Sequence, residues 1–451
     1  MRSDGVPVAI VGGGFSGTIL AAQLARRGIT SALIDGSGRM GRGVAYSTSE
    51  PVHLLNVPAE GMSAWSGEPD HFARHFEAAG GDPRGFAERR FFGGYLDGIL
   101  SNAVESGCTN VIQASATGAT RNGGWSVALD DGPTINADSL VLAIGNQEPL
   151  PLPAFEDVHT RYVANPWGAD ARRAIEELAR TAGTVLLIGT GLTMVDLVLS
   201  LDAAGHQGKI IALSRRGQVP RSHADFDSAA AEQDEVPHGS VRQLWRWLRR
   251  RSAEVGWRAA IDSLRPHSHS IWQSLDSEQQ LRFLRHARPW WDVHRHRIAP
   301  DVAQTIARLV GEGRLEIMAG RIMAARETST DLEVDIRRRG RDSTETIEAA
   351  AAFNCTGPLH SIEQTRDPLL RSLFNSGAIR PDRLGIGLDV DENSRVGERV
   401  WALGPLTKAR YWEIIAVPDI REQAAEVAED IAKELERWAP HSSTASPKMA
   451  T

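Results

Sequence analysis

Residues 7–35 read PVAIVGGGFSGTILAAQLARRGITSALID, and the rest of the chain is organised around them. The apolar run at 8–11 reads as a buried parallel strand. It enters Gly12-Gly13-Gly14-Phe15-Ser16-Gly17, a G-x-G-x-x-G loop. The spacing of Ile19, Leu20, Ala22 and Leu24 predicts a helix behind it. A second strand, 31–34, ends on Asp35. Gly12 suits the tight turn, Gly14 lets a pyrophosphate approach the backbone, and Gly17 lets helix and strand pack closely. The helix start, with Phe15 and Ser16, offers free N–H groups and partial positive charge to that pyrophosphate. Asp35 stands where an acid accepts ribose hydroxyl hydrogens. Strand, loop, helix, second strand and terminal acid together predict a dinucleotide site, which a glycine-rich turn alone would not.

Working outward, 451 residues with 41% hydrophobic content predict two or more domains. A formal charge of −7 argues against nucleic acid as a whole-chain partner. The only cysteines, Cys108 and Cys355, form no C-x-x-C, which argues against a disulfide framework, a cysteine zinc site and a dithiol redox centre. No apolar run reaches the length of a membrane span, and the N-terminus enters the first strand directly, so no membrane partner and a cytoplasmic location are expected. Nothing here decides the oligomeric state.

A second Rossmann-like unit occupies 184–217, with Gly189 and Gly191 in the turn and Met194 where a third glycine would stand. The missing glycine predicts looser helix–strand packing. Its second strand ends not in an acid but in Ser214-Arg215-Arg216. Arginine pairs with a 2′-phosphate, which favours NADPH over NADH; the plain alternative is that both side chains face solvent. Between the units, a strand ends on Gly145, and a similar strand-then-glycine crossing recurs at 352–358 with Gly357. One crossing out and one back predict a second domain inserted into the first. The expected boundaries are 1–150 and 350–438 for the first domain and 151–349 for the second. A helical insert is expected at 221–310 and a disordered tail at 439–451.

The insert departs from the α/β rhythm. Residues 241–300 hold twelve arginines against five carboxylates and no lysine, and 221–300 holds six of the chain's twelve tryptophans. This composition suits a helical cap with aromatic walls over an anionic substrate, or a nucleic-acid surface. In RPWWDVHRHRIAP (288–300), alternation makes one of the pairs His294/His296 and Arg295/Arg297 point inward. Arg288, His294 and Arg297 are the candidates for substrate contact, with His294 also a candidate acid or base. The histidines lack a further ligand set, so no metal is expected. The loop at 47–65, with His53, Asn56, Met62 and Trp65, carries residues costly for a loop tip and reads as functional. Late in the chain, 400–403 reads as a strand ending at Gly404, with a long amphipathic helix from Ile420.

The blocks GGGFSG, GRGVAYST, HLLNVPA, MSAW, GTGLTMVDL, VHRHRIAP, NCTGP and AVPDIR together resemble the FAD/NAD(P)-binding flavoprotein family that includes a bacterial FAD-dependent urate hydroxylase. The resemblance implies an α/β fold of two Rossmann-like dinucleotide-binding domains, an FAD domain with an inserted NAD(P) domain, plus the helical insertion. It implies FAD at Gly12, Gly14, Phe15, Ser16, Gly17, Asp35, Asn56, Gly145, Gly357 and Gly404. NADPH, or NADH, would lie at Gly189, Gly191, Arg215 and Arg216. The implied activity is an NAD(P)H-dependent monooxygenase that uses molecular oxygen on a small, anionic or aromatic substrate, with urate the narrowest expectation. The alternatives are an N-hydroxylase of an amine or amino acid, a flavin reductase and, more remotely, a non-catalytic redox-sensing nucleic-acid-binding protein.

Overall fold

The computed structural model describes residues 5–438; the tail expected at 439–451 lies outside them. β1 (Gly5–Val11) pairs in parallel with β2 (Ser31–Ile34), which pairs in parallel with β3 (Thr109–Ile112). The antiparallel hairpin β4 (Ala116–Arg121) and β5 (Trp125–Leu129) feeds β6 (Ile135–Leu142), which returns to lie parallel beside β1. The chain then leaves for a second sheet. Its strands are β7 (Tyr162–Val163), β8 (Val185–Ile188), β9 (Ile210–Ser214), β10 (Leu315–Glu327), β11 (Leu332–Arg338), β12 (Thr344–Ala349) and β13 (Ala351–Asn354). Their order is β12-β11-β10-β9-β8-β13-β7. The chain comes back as β14 (Arg395–Gly397) and β15 (Val400–Ala402), and β15 lies parallel to β6 at the point of departure.

Four-residue strands such as SALI and VLLI are buried along their whole length, as parallel strands covered on both faces must be. The helices Phe15–Arg26, Arg89–Glu105 and Val417–Trp438 cover one face of the first sheet; Pro368–Asn375 packs on the other. The second sheet is covered by Leu192–Ala203 and Pro300–Gly311 on one face and by Phe155 and Val158 on the other.

Three expected boundaries move. The strand at 351–354 is hydrogen-bonded to β8 and β7, so the second sheet ends after Asn354 rather than before residue 350. Residues 221–240 contain no helix, and the insert's helices run from Val241–Val255 to Arg288–Arg295. Pro300–Gly311 belongs to the second sheet's core through Val302, Ile306 and Leu309, because its apolar face meets β10. The glycine-rich stretch at 36–46, which reads as irregular, also holds one helical turn, Gly43–Tyr46.

The insert has a small core of its own, built on Trp247, Ile261, Leu264 and Trp291. It is pinned to the rest of the molecule where the Trp272 ring stacks on Trp412, with centroids 4.9 Å apart. Among the described residues no helix is long and apolar enough to cross a membrane.

Candidate functional site

The first glycine loop is shaped by its backbone. Gly12 has φ 109, and a Cβ there would lie 2.3 Å from the Ala143 carbonyl oxygen. A Cβ on Gly17 would lie 1.9 Å from the Gly12 oxygen, so the helix Phe15–Arg26 seats directly on the loop. Gly14 is extended, no side chain caps the helix, and the first intrahelical bond is Thr18 N–H to Gly14 O at 3.0 Å. The amides ahead of it, on Phe15, Ser16 and Gly17, are the unsatisfied donors that an anion at a helix start takes up. Asp35 accepts from the Gly13 amide at 2.7 Å through Oδ2 and from Ser37 N–H at 2.7 Å through Oδ1. Gly41 N–H bonds to Gly13 O at 2.7 Å, and Gly43 closes over Gly14. Gly404 completes the cluster by packing on Ser16, but its amide already donates to Gln423 Oε1 at 2.8 Å. These groups fit a bound dinucleotide: bare helix-start amides, a cradle that a side chain would fill, and an acid at the end of the second strand.

The second loop opens onto a cleft of about 950 Å³. Gly189 has φ 123, and a Cβ there would strike the Cys355 carbonyl oxygen at 2.2 Å. Gly191 has open space where a side chain would be. Thr190 Oγ1 donates to Ser214 Oγ at 2.9 Å, tying the glycine loop to the end of β9. Met194, in place of the third glycine, is fully buried in the second core. From the loop the cleft runs past Arg215 and Gly357 to a polar end lined by Arg288, Asp292, His296, His360 and Lys408.

That polar end was only partly legible in the sequence. Arg288 lines it and donates to Asp292 Oδ2 at 3.2 Å. His294 and Arg297 are not among the residues lining the cleft. His294 Nδ1 lies 2.7 Å from Trp290 O, and its ring meets Trp257 edge-on. Arg297 is buried on Asp262 with Nη2 at 2.5 Å from Oδ1. The inward alternation falls instead on His296, because these residues lie on a helix end, not a strand. Arg295 stands 3.0 Å from buried Glu413. Burial alone would raise the Glu413 carboxyl, but Arg295, His296 and a hydrogen bond from Trp291 hold it below its ordinary value.

Lys408 is the residue sequence reasoning missed. The chain has four lysines against 46 arginines. Lys209 and Lys433 pair with Glu316 and Glu429, and Lys448 lies outside the described residues. Lys408 is buried with its Nζ 4.8 Å from the Trp412 ring centroid. Burial, and then Arg288 nearby, push its pKa down to about 8. Burial, reinforced by Lys408 and Arg288, pushes His360 down to about 3, so its ring is neutral at physiological pH. The scarcity of lysine in an arginine-dominated chain was the available signal.

Residues of the 47–65 loop make core and inter-unit contacts. Met62 and Trp65 fill the first core, with the Arg26 guanidinium 3.3 Å from the Trp65 ring centroid. His53 Nε2 reaches Ser200 Oγ at 3.0 Å across the two sheets, and Asn56 O lies 2.9 Å from His223 Nε2. Beside them Arg89 grips Asp196 with two bonds, 2.7 and 3.0 Å, joining the units through a buried ion pair. The loop that reads as functional thus also supplies a joint between the two units. No tryptophan lines the cleft, so the insert's aromatic residues do not form its walls. Arg216 sits beside Arg215 in an adjoining cavity, and Gly145, with φ 76, stands in open space at the exit from the first sheet. Among the described residues no group of three or more His, Cys, Asp or Glu side chains is placed to hold a metal ion.

Residues 9–147 match a family model described as FAD-NAD(P)-binding, so the opening unit is an FAD/NAD(P)-binding domain. Curated relatives from Mycobacterium tuberculosis and Mycobacterium bovis, themselves named as uncharacterised proteins, are 26% identical over 149 residues. That match covers 31% of this chain and 28% of theirs, so the alignment spans less than a third of those relatives. Over its whole length the fold is similar to solved two-domain flavoproteins. L-lysine 6-monooxygenase from Pseudomonas syringae superposes with a TM-score of 0.68 at 18% identity, covering 95% of this chain and 99% of that one. The ornithine N-hydroxylase of Kutzneria sp. 744, solved with reduced FAD, NADP+ and L-ornithine, gives 0.63 at 15%, covering 96% and 100%. At these identities the likeness defines the fold: two parallel-rich sheets in the arrangement of two-domain FAD/NAD(P)-binding flavoproteins.

Proposed function

We propose that this protein is an FAD-dependent NAD(P)H monooxygenase that N-hydroxylates a small amine carrying a carboxylate. The observation that carries the proposal is the continuous cleft from the second glycine loop to the Arg288–Asp292–Lys408 end. Gly12, Gly14, Gly17, Asp35 and the amides of Phe15 and Ser16 would hold FAD; Gly189, Gly191 and Arg215 would hold NAD(P)H. Bound FAD supplies the redox chemistry, accepting hydride and activating oxygen. The chain's residues bind, orient and move protons. Arg288 suits a carboxylate, while Asp292 suits an ammonium. Lys408, titrating near pH 8, can take the proton an amine must lose before its nitrogen reacts. His360 stays a neutral hydrogen-bonding wall. The likeness to lysine and ornithine hydroxylases supports an amine substrate. Dithiol reduction finds no support, because Cys108 and Cys355 are both free and Cys355 is buried.

Urate hydroxylation is the second reading, favoured only by the cleft's cationic end and weakened by its lack of a tryptophan wall. One assay separates the two. FAD-loaded protein is given NADPH or NADH with L-ornithine, L-lysine or urate, and oxygen uptake, peroxide and product are followed. The proposal expects an amine to speed NAD(P)H oxidation and to leave as a hydroxylamine without matching peroxide. A urate-dependent burst with no response to amines would overturn it. In Lys408→Met, the rise of kcat/KM through about pH 8 should vanish.

A further inference from the structure

Beside the dinucleotide cleft lies a second cavity, of about 560 Å³, which among the described residues is lined by eight arginines and no carboxylate. Such a locus runs against the composition of a chain with net charge −7. Arg215 and Arg216 enter it from the turn after β9. Arg321 on β10 and Arg337 on β11 are directly opposed across the antiparallel pair. Arg339 and Arg341 follow in the next turn, and Arg285 reaches in from the insert. Like charges facing each other across strands destabilise a sheet. The same hairpin shows the ordinary solution a few residues away, where Arg326 pairs with Glu333 and Asp335. Among the described residues, Arg338 is the one arginine of the cavity with carboxylate partners, Glu316 and Glu345. Trp290, exposed, forms part of the rim.

We infer that this cavity is a binding site for a triphosphate-class polyanion, separate from the redox cofactor's own site. The 2′-phosphate of NADPH carries about two charges and needs only the arginines at the border with the cleft. Arg215 and Arg321 line both spaces, so they are that border. Arg337, Arg339, Arg341 and Arg285 lie beyond it, and none of them lines the cleft. A chain of phosphates can bridge the Arg321–Arg337 pair and reach the turn, replacing cross-strand repulsion with charge-assisted hydrogen bonds. The volume falls in the range of a small-molecule site. Because the border arginines are shared, an occupant would compete with NADPH and slow the enzyme's reduction.

The test is calorimetry of tripolyphosphate binding to the full-length FAD-loaded protein in physiological salt, with no NADPH present. Sulfate and ATP are the parallel arms. We expect tripolyphosphate to bind at least about tenfold more tightly than sulfate, as multiple charge-assisted bonds require. The double variant Arg339→Gln, Arg341→Gln should weaken it about tenfold while leaving the KM for NADPH unchanged. Equal binding of ATP and tripolyphosphate would identify recognition of phosphates alone. Tighter ATP with quenched tryptophan fluorescence would identify a nucleotide whose base stacks on Trp290. Two results would overturn the inference: tripolyphosphate binding no better than sulfate, or the double variant raising the NADPH KM as much as it weakens tripolyphosphate. The second would make the cavity part of the dinucleotide site. Because calorimetry needs no turnover, failure here leaves the monooxygenase proposal standing, and the reverse holds too.

Discussion

The two glycine loops begin alike and part at their third position. Each turns on a positive-φ glycine pressed against a carbonyl from another strand, Ala143 in the first unit and Cys355 in the second. Each hands over to a helix with no side-chain cap. At the third position Gly17 has no room for a methyl group, whereas Met194 buries an entire side chain. The second helix therefore presents a buried thioether where the first presents bare backbone. The strands that follow differ in charge as well: Asp35 is engaged by two backbone amides, while Arg215 looks into an arginine-lined cavity. The same supersecondary unit has been built once around bare backbone and an acid, and once around a buried methionine and arginines.

The largest expected effect comes from cutting the link between the units. Arg89→Ala leaves Asp196 buried without its partner and should cost about 3–5 kcal/mol in denaturant unfolding. A smaller loss, with the non-polar Arg89→Met nearly neutral, would show that the pair orders the units more than it stabilises them. Next comes the third position itself. Met194→Ala should cost about 2–4 kcal/mol from the cavity it opens, yet retain FAD through purification. Gly17→Ala should cost about 1–3 kcal/mol and release FAD, because the methyl group forces the loop open. If both variants kept FAD equally, the difference in helix seating would not matter for binding.

The cleft between the units adds a pH test. The His360 pKa is lowered in the folded state, so between its ordinary value near 6.5 and about 3 the unfolded chain binds the extra proton. Stability from this residue is thus lost as pH falls through that window, and His360→Gln should flatten that part of an acid denaturation curve. Lys408 contributes in the alkaline range with the same sign. Its folded pKa of about 8 lies below the unfolded value, so stability rises from pH 8 toward 10. The smallest effect is on cofactor choice. Arg215→Ser should lower the ratio of kcat/KM for NADPH to that for NADH about tenfold.

The amino-acid sequence alone determined the opening dinucleotide unit, its near-copy with a methionine at the third position, and the insertion of one sheet within the other. Those features are local: strand, glycine turn and helix follow one another within about thirty residues, and steric demands on each glycine are set by its immediate neighbours. Arg288, singled out in the dense block at 288–300, does line the cleft. The rest depended on contacts between segments far apart in the chain. His53 sits in a loop that reads as functional, and only its meeting with Ser200 shows that it joins the units. The parity of His294 and His296 was decided by a helix end packed on Trp257 and Glu413, which no alternation rule could supply. Lys408 and His360 acquire their shifted titration from burial beside Arg288. The arginine cavity exists because β10 and β11 place Arg321 opposite Arg337 near the end of β9. Backbone geometry is written residue by residue, whereas burial and long-range charge belong to the packed chain.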